Sequence, residues 1–415
     1  MPWFRSASLK YRSTHIHVPS TETTKKIPKL STWPRFTEDE IQAASAVLRS
    51  GQINYWTGGE GKAFEREFAE FIGVKHAVAA ANGTVTLEMA LQALGVGAGD
   101  EVVVSPRSFM ASVSCVVTAG ARPVFADVDR DSGNVTAESI ARVLSPRTRA
   151  VLPVHLAGWP CEIDQIMALA AKNKLHVIED CAQAHGAIYR DKPVGAWGHV
   201  GSFSFCQDKI ITTGGEGGML VTQDEDLWSR LWSLKDHGKS YDACFNRNWP
   251  AGFRWLHESF GSNYRLTEMQ SAIGRLALRK LPGWLECRRR NAAQLSCCVG
   301  QFDCIRNPVP PDHVQHACYK LYCYVRPEAL RSDWSRDRLL IEISARGVPC
   351  FSGSCSEIYL ERAFDHNGLR PPTRLPVARE LGETALMFLV HPTLTENEMD
   401  WVCDTVAHVL TEASA

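Results

Sequence analysis

Lys209 follows a short apolar and aromatic run at residues 202–205 and precedes the small, flexible segment Thr212-Thr213-Gly214-Gly215-Glu216-Gly217-Gly218. A primary amine condenses with a carbonyl once its pKa is lowered enough to leave part of it neutral. Neighbouring glycines let backbone approach a ligand closely. Taken alone, a lysine in a loop is a solvated charge, so its meaning rests on its companions. Asn82-Gly83-Thr84 offers backbone N–H groups and a hydroxyl with no side chain on Gly83, which suits a phosphate as well as it suits a capped helix. Asp180 follows Val177-Ile178-Glu179. A carboxylate there serves as a cap, as an ion-pair partner, or as the group that keeps a pyridine nitrogen protonated. Phe109 is either a core residue or a platform for a flat ring.

The intervening pattern alternates strand and helix. Strands are expected at 76–80, 101–105, 123–128, 150–156, 176–180, 202–205 and 219–222, with helices at 85–94 and 108–119 among those between them. Such alternation predicts a mostly parallel sheet covered on both faces, an α/β fold. Ligands of open α/β sheets sit beyond the C-terminal strand ends. That rule selects Asn82–Thr84, 106–109, His155, 180–183 and Lys209. An amphipathic helix is expected at 34–50, capped by Thr37 with Glu40 three residues on and striped by Ile41, Ala44, Val47 and Leu48. A second follows through Phe64, Phe68 and Phe71. Two further helices are expected at 266–281 and 284–298. The Trp- and Asn-rich stretch 242–261 reads as a long functional loop, and the remainder as a smaller α+β unit. The expected division is an arm at 1–34, a large domain at 35–281 and a small one at 282–415. Gly95 to Gly99 (GVGAG) precedes a strand instead of following one, which argues against a dinucleotide fingerprint.

The bulk properties fit a soluble enzyme. The 415 residues are 45% hydrophobic and 22% charged, with a formal net charge of −1. That balance argues against a nucleic-acid surface, and no apolar run reaches membrane-spanning length. The fourteen cysteines contain no Cys-x-x-Cys pair and read as buried free thiols of a reducing, cytoplasmic compartment, not as a metal or disulfide framework. Residues 1–26 are rich in Arg, Lys, Ser and Thr with Glu22 their only acid. This composition suits a disordered arm and not a secretory signal.

In this order, phosphate cup, aromatic, strand-end acid and lysine match the way fold-type-I enzymes hold pyridoxal 5'-phosphate. The stretches FEREFAEFIGVKHAVAAANGTVTLEMAL, ARPVFADVD, AVLPVHLAGWPCEID, VIEDCAQAHGA, GSFSFCQDKIITTGGEGGML, GSNYRLTEMQSAIG and HPTLTENEM resemble the DegT/DnrJ/EryC1/StrS sugar aminotransferases from about residue 35 onward. The resemblance implies a fold-type-I transferase with a large sheet domain between helices and a smaller α+β domain. It implies that Lys209 forms the imine and shuttles the proton, and that Asp180 pairs with the pyridine nitrogen. Gln183 would lie near the phenolic oxygen, Phe109 would stack on the ring, and Gly83, Thr84 and Ser204 would hold the phosphate. Asn263 would reach the phosphate of a neighbouring subunit, so a homodimer with shared sites is expected. The implied reaction moves an amino group, from glutamate, to a keto group of a nucleotide-linked deoxysugar for polysaccharide or glycoside biosynthesis. Sugar dehydratases of the family carry histidine where Lys209 stands. A regulatory protein on the same fold would not need Lys209, Asp180 and the cup together. His155 is either near the ring or substrate or a satisfied strand-end histidine, and His237 is a candidate for the site wall. Cys206-Gln207-Asp208 and the GGEGG segment depart from the family pattern and leave the accepted sugar open, as do the loops at 242–261 and 350–364.

Overall fold

The computed structural model describes residues 29–415, so most of the expected arm lies outside the described residues. Its last residues, however, make contacts with the rest of the chain. Leu30 packs on an apolar cluster, the Ser31 N–H donates to the Glu398 carboxylate at 2.6 Å, and Trp33 meets Trp284 edge-on at 5.1 Å.

Seven strands form the central sheet: β1 (His76–Ala80), β2 (Glu101–Val104), β3 (Arg122–Phe125), β4 (Thr148–Leu152), β5 (His176–Asp180), β6 (Val200–Ser204) and β7 (Gly218–Thr222). Their spatial order is β1-β7-β6-β5-β4-β2-β3. All neighbours are parallel except those of β7, which runs antiparallel to both β1 and β6. β2, β6 and β7 are buried along their whole length, as expected of strands covered on both faces. Helices α1 (Glu38–Ser50) and α2 (Glu60–Ile72) precede β1, α3 (Gly83–Ala93) joins β1 to β2, and α4 (Ala111–Thr118) joins β2 to β3. α1 begins four residues later than the pattern predicts. Its Thr37 N–H donates to Glu40 at 2.9 Å, but only Val47 of its apolar stripe is buried, while Ile41 and Leu48 are more than half exposed.

A further departure is at Pro282. Two helices were expected there, yet one helix runs unbroken over Glu268–Val299. Proline removes one backbone donor and crowds the preceding turn, at about 3 kcal/mol. Packing on both sides of it offsets that cost. Leu278 and Leu281 are buried in the cluster that includes Phe64 and Phe68 of α2, while Leu295 and Val299 are buried beside the C-terminal helix Glu396–Ala413. A four-stranded antiparallel sheet of Ile305–Arg306, Leu321–Val325, Ala385–Phe388 and Cys350–Phe351 shares that second cluster. A three-stranded ribbon of Ile188–Tyr189, Lys192–Pro193 and Val314–Gln315 was not expected from sequence.

No cysteine is paired, but only seven of the fourteen are buried. No helix among the described residues is long and apolar enough to cross a membrane.

Candidate active site

Because β1, β5 and β6 point the same way, their C-terminal ends share one edge of the sheet. The turn after β1, the last residue of β5 and the segment after β6 therefore converge on one cleft of about 860 Å³. Gly83, Thr84, Phe109, Asp180, Gln183, Ser204 and Lys209 all line it. Lys209 and Asp180 thus face the same space, close enough for the ammonium charge to favour the carboxylate.

Each side chain is set by its local structure. The Asn82 side chain caps α3, accepting the N–H groups of Thr84 and Val85 at 3.1 and 3.0 Å. Those two donors are therefore engaged by the cap, and Thr84 and Ser204 bring hydroxyl side chains to the cleft lining. A Cβ on Gly83 would lie 2.5 Å from that of Ser204, so only glycine lets the turn sit against β6. Period-two alternation turns Asp180 and its neighbour Glu179 to opposite faces. Asp180 is buried, accepting from the Ser112 hydroxyl at 2.7 Å and the Ala182 N–H at 3.1 Å. Burial still lifts its carboxyl above the usual range, as expected when charge is removed from water without a full counter-ion. Gln183 accepts the Ala157 N–H through Oε1 at 2.7 Å, which leaves its amide NH₂ for the cleft. Phe109 is 69% exposed on the cleft wall, with its ring available to a flat ligand.

Two glycines of the segment after Lys209, Gly217 and Gly218, pack protein against protein. A Cβ on Gly218 would meet the Asn82 carbonyl oxygen at 2.6 Å, and one on Gly217 would strike the Thr213 hydroxyl. At these two positions close packing of protein on protein, at Gly218 against the start of α3, takes the place of the expected approach to a ligand, whereas a Cβ on Gly215 would meet nothing within 4 Å. The Lys209 carbonyl is held from outside the cleft by the Trp33 indole N–H at 2.8 Å.

Several candidates lie elsewhere. His155 is fully buried: its Nδ1 accepts the Cys161 N–H at 2.9 Å and its Nε2 donates to Glu179 at 3.0 Å. Glu179 also accepts the N–H groups of Gly195, Trp197 and Gly198, and these bonds outweigh burial to hold its carboxyl below the ordinary range. In the cluster of His155, Glu179 and Cys181, the polar atoms of His155 and Glu179 are thus already engaged by protein partners. His237 is exposed and lines no part of the cleft. Asn263 is exposed outside it as well. Of the two loops, 350–364 contributes Phe351, Gly353 and Ser354 to the wall, and 242–261 contributes nothing within one chain. GVGAG forms the connection between α3 and β2.

Sequence reasoning missed Ser112, Tyr319, Lys320 and Tyr322, all of which line the cleft, as does Asp208 of the Cys206-Gln207-Asp208 departure. The Tyr319 hydroxyl donates to Asp208. Cys206 and Glu216 are also present, so both departures from the family pattern touch the cleft. A half-buried lysine and a buried acid lining one cleft, with a glycine turn and hydroxyls, form a set of groups able to hold an anionic, ring-bearing aldehyde.

The comparisons with known proteins agree with this geometry. The sequence profile of the DegT/DnrJ/EryC1/StrS aminotransferase family matches residues 34–407. The chain is 34% identical over 359 residues to the UDP-N-acetyl-3-dehydro-alpha-D-glucosamine 3-aminotransferase of Acidithiobacillus ferrooxidans, covering 85% of this chain and 89% of that protein. It is 33% identical to the dTDP-3-amino-3,4,6-trideoxy-alpha-D-glucose transaminase of Streptomyces venezuelae, over 93% and 97% of the two chains. Among solved structures, an aminotransferase from Psychrobacter cryohalolentis superposes with a TM-score of 0.91 at 54% identity, over 92% of this chain and 99% of that one. Cleft, sheet order and sequence therefore lead to one assignment: the chain belongs to the DegT/DnrJ/EryC1/StrS aminotransferase family.

Proposed function

We propose that this protein is a pyridoxal-phosphate-dependent aminotransferase of nucleotide-linked keto-sugars, working in the cytoplasm as a homodimer with glutamate as amino donor. The convergence of Lys209 and Asp180 on one cleft carries the reading. The residues fit the cofactor: the Gly83–Ser204 approach leaves a cradle that a Cβ would fill, and the buried Asp180 carboxyl lacks a full counter-ion. When bound, the cofactor supplies an aldehyde and an electron-withdrawing ring. Gly83, Thr84 and Ser204 would hold its phosphate, Asp180 its ring nitrogen, Gln183 its phenolic oxygen, and Phe109 one ring face. Lys209 would present its amine to the aldehyde and later carry the proton to and from the substrate carbon.

Relatives with nucleotide-sugar substrates support the acceptor class, and the product would feed a surface polysaccharide or a glycosylated metabolite. Exposed Asn263 supports a shared site, and Phe253, Trp255 and Phe260, at 77%, 71% and 96% exposure, are apolar surface suited to burial against a second copy. Lys209→Ala should abolish the visible imine absorbance and turnover while leaving the fold intact. A Lys209→Ala protein of normal activity would refute the proposal. Screening nucleotide keto-sugars for loss of the aminated cofactor's spectrum identifies the acceptor.

A further inference from the structure

Apart from Lys209, the cleft of this chain holds one cationic side chain among the described residues, Lys320. Its side chain is only 16% exposed, and its nearest acid, Asp208, is 3.9 Å away, beyond hydrogen-bond range. Asp208 is itself engaged by the Tyr319 hydroxyl. Three ammonium donors are therefore held at the cleft without a protein hydrogen bond among the described residues. Such a group is costly unless something anionic meets it.

Its location says which anion. The Lys320 ammonium lies 4.6 Å from the centre of the Tyr319 ring, and the Lys209 ammonium lies 5.2 Å from the centre of the same ring. Lys320 is thus at the amine end of the cleft, where the reacting carbon must lie, whereas the phosphate cup is built from other residues, Gly83, Thr84 and Ser204. An amino donor has to place its nitrogen where the Lys209 amine stands. Its α-carboxylate is then two bonds away. The diphosphate of a nucleotide sugar is separated from its reacting carbon by the sugar ring and lies farther out.

Resting on the function proposed above, we infer that Lys320 is the residue that binds the α-carboxylate of the amino-acid donor. Burial lowers its amine to about 8, so it is still a cation at neutral pH. Asp208, in the segment that departs from the family pattern, acts as its standing counter-charge between turnovers. Burial opposes the Asp208 charge, but Lys209, Tyr319 and Lys320 together hold its carboxyl below the ordinary range.

The test uses purified holoenzyme and two reagents followed by the cofactor's absorbance: L-glutamate, which carries the carboxylate, and hydroxylamine, a nucleophile without one. Lys320→Met should raise the half-saturating concentration of L-glutamate by about tenfold or more, as expected for loss of a charge-assisted hydrogen bond. It should leave the hydroxylamine rate unchanged, and Lys320→Arg should recover most of the loss. An unchanged glutamate titration in Lys320→Met, or equal slowing with both reagents, overturns the inference. A wild-type protein with no imine absorbance and no reaction with hydroxylamine overturns the cofactor reading instead, and the inference with it.

Discussion

Ser112→Ala tests how the cleft tunes its buried acid. The Ser112 hydroxyl donates to Asp180 Oδ2 at 2.7 Å and is itself within 2.8 Å of the Ser108 hydroxyl. A hydrogen bond to a charged group is worth about 1.5–3 kcal/mol. At 1.36 kcal/mol per pKa unit, its loss raises the Asp180 pKa by about one to two units, on top of the rise that burial already causes. The direction on stability follows from linkage. In the cofactor-free protein a raised carboxyl favours the fold fully below its unfolded pKa, and that contribution is lost as pH rises through the folded value. Ser112→Ala moves the upper end of this window to higher pH. In the holoenzyme a protonated Asp180 cannot hold a cationic ring nitrogen, so the variant should release cofactor at a higher pH than wild type. Dialysis over a pH series, read by cofactor absorbance, measures the shift, and Ser112→Thr should restore the wild-type profile. Identical release profiles for wild type and Ser112→Ala would refute the reasoning.

Other perturbations test other parts of the molecule. Lys235 is fully buried and its ammonium is 2.7 Å from Glu65; Glu65→Gln should cost about 3–5 kcal/mol of stability in urea denaturation, because it leaves an unpaired buried charge. Trp33→Phe removes the indole donor to the Lys209 carbonyl and should cost about 1 kcal/mol, with a broadened imine absorbance as the local readout. Gly218→Ala drives a methyl against the Asn82 carbonyl; it should weaken cofactor retention more than it lowers the melting temperature. Mixed dimers of one Lys209→Ala chain and one Asn263→Ala chain should regain one intact site, and complete inactivity of such mixtures would refute the shared site.

The sheet was legible because its strands are short, mostly apolar and largely buried runs. β1 and β5 fall at their expected limits, since apolar runs bounded by turn residues leave little choice of register. That Asn82–Thr84, Asp180 and Lys209 share one cleft was legible because each lies at or just past a strand end, and strand ends of a parallel sheet share one edge. What escaped depends on partners distant in sequence. Asp208 and Tyr319 are 111 residues apart, and no local pattern links them. Ser112 resembles any small helix residue until Asp180 is placed beside it. The ribbon strands are two residues long, too short for alternation to register. Pro282 misled the helix reading because tertiary burial outweighed a local penalty.

The uninterrupted helix over Glu268–Val299 sets a rule for recombining this chain with its relatives. A junction placed at Pro282 and Gly283, where the sequence invites one, would splice two rods whose buried sides answer to different cores. Productive crossovers would have to spare the whole rod, which makes it an inherited unit that couples the layer beside the central sheet to the C-terminal layer.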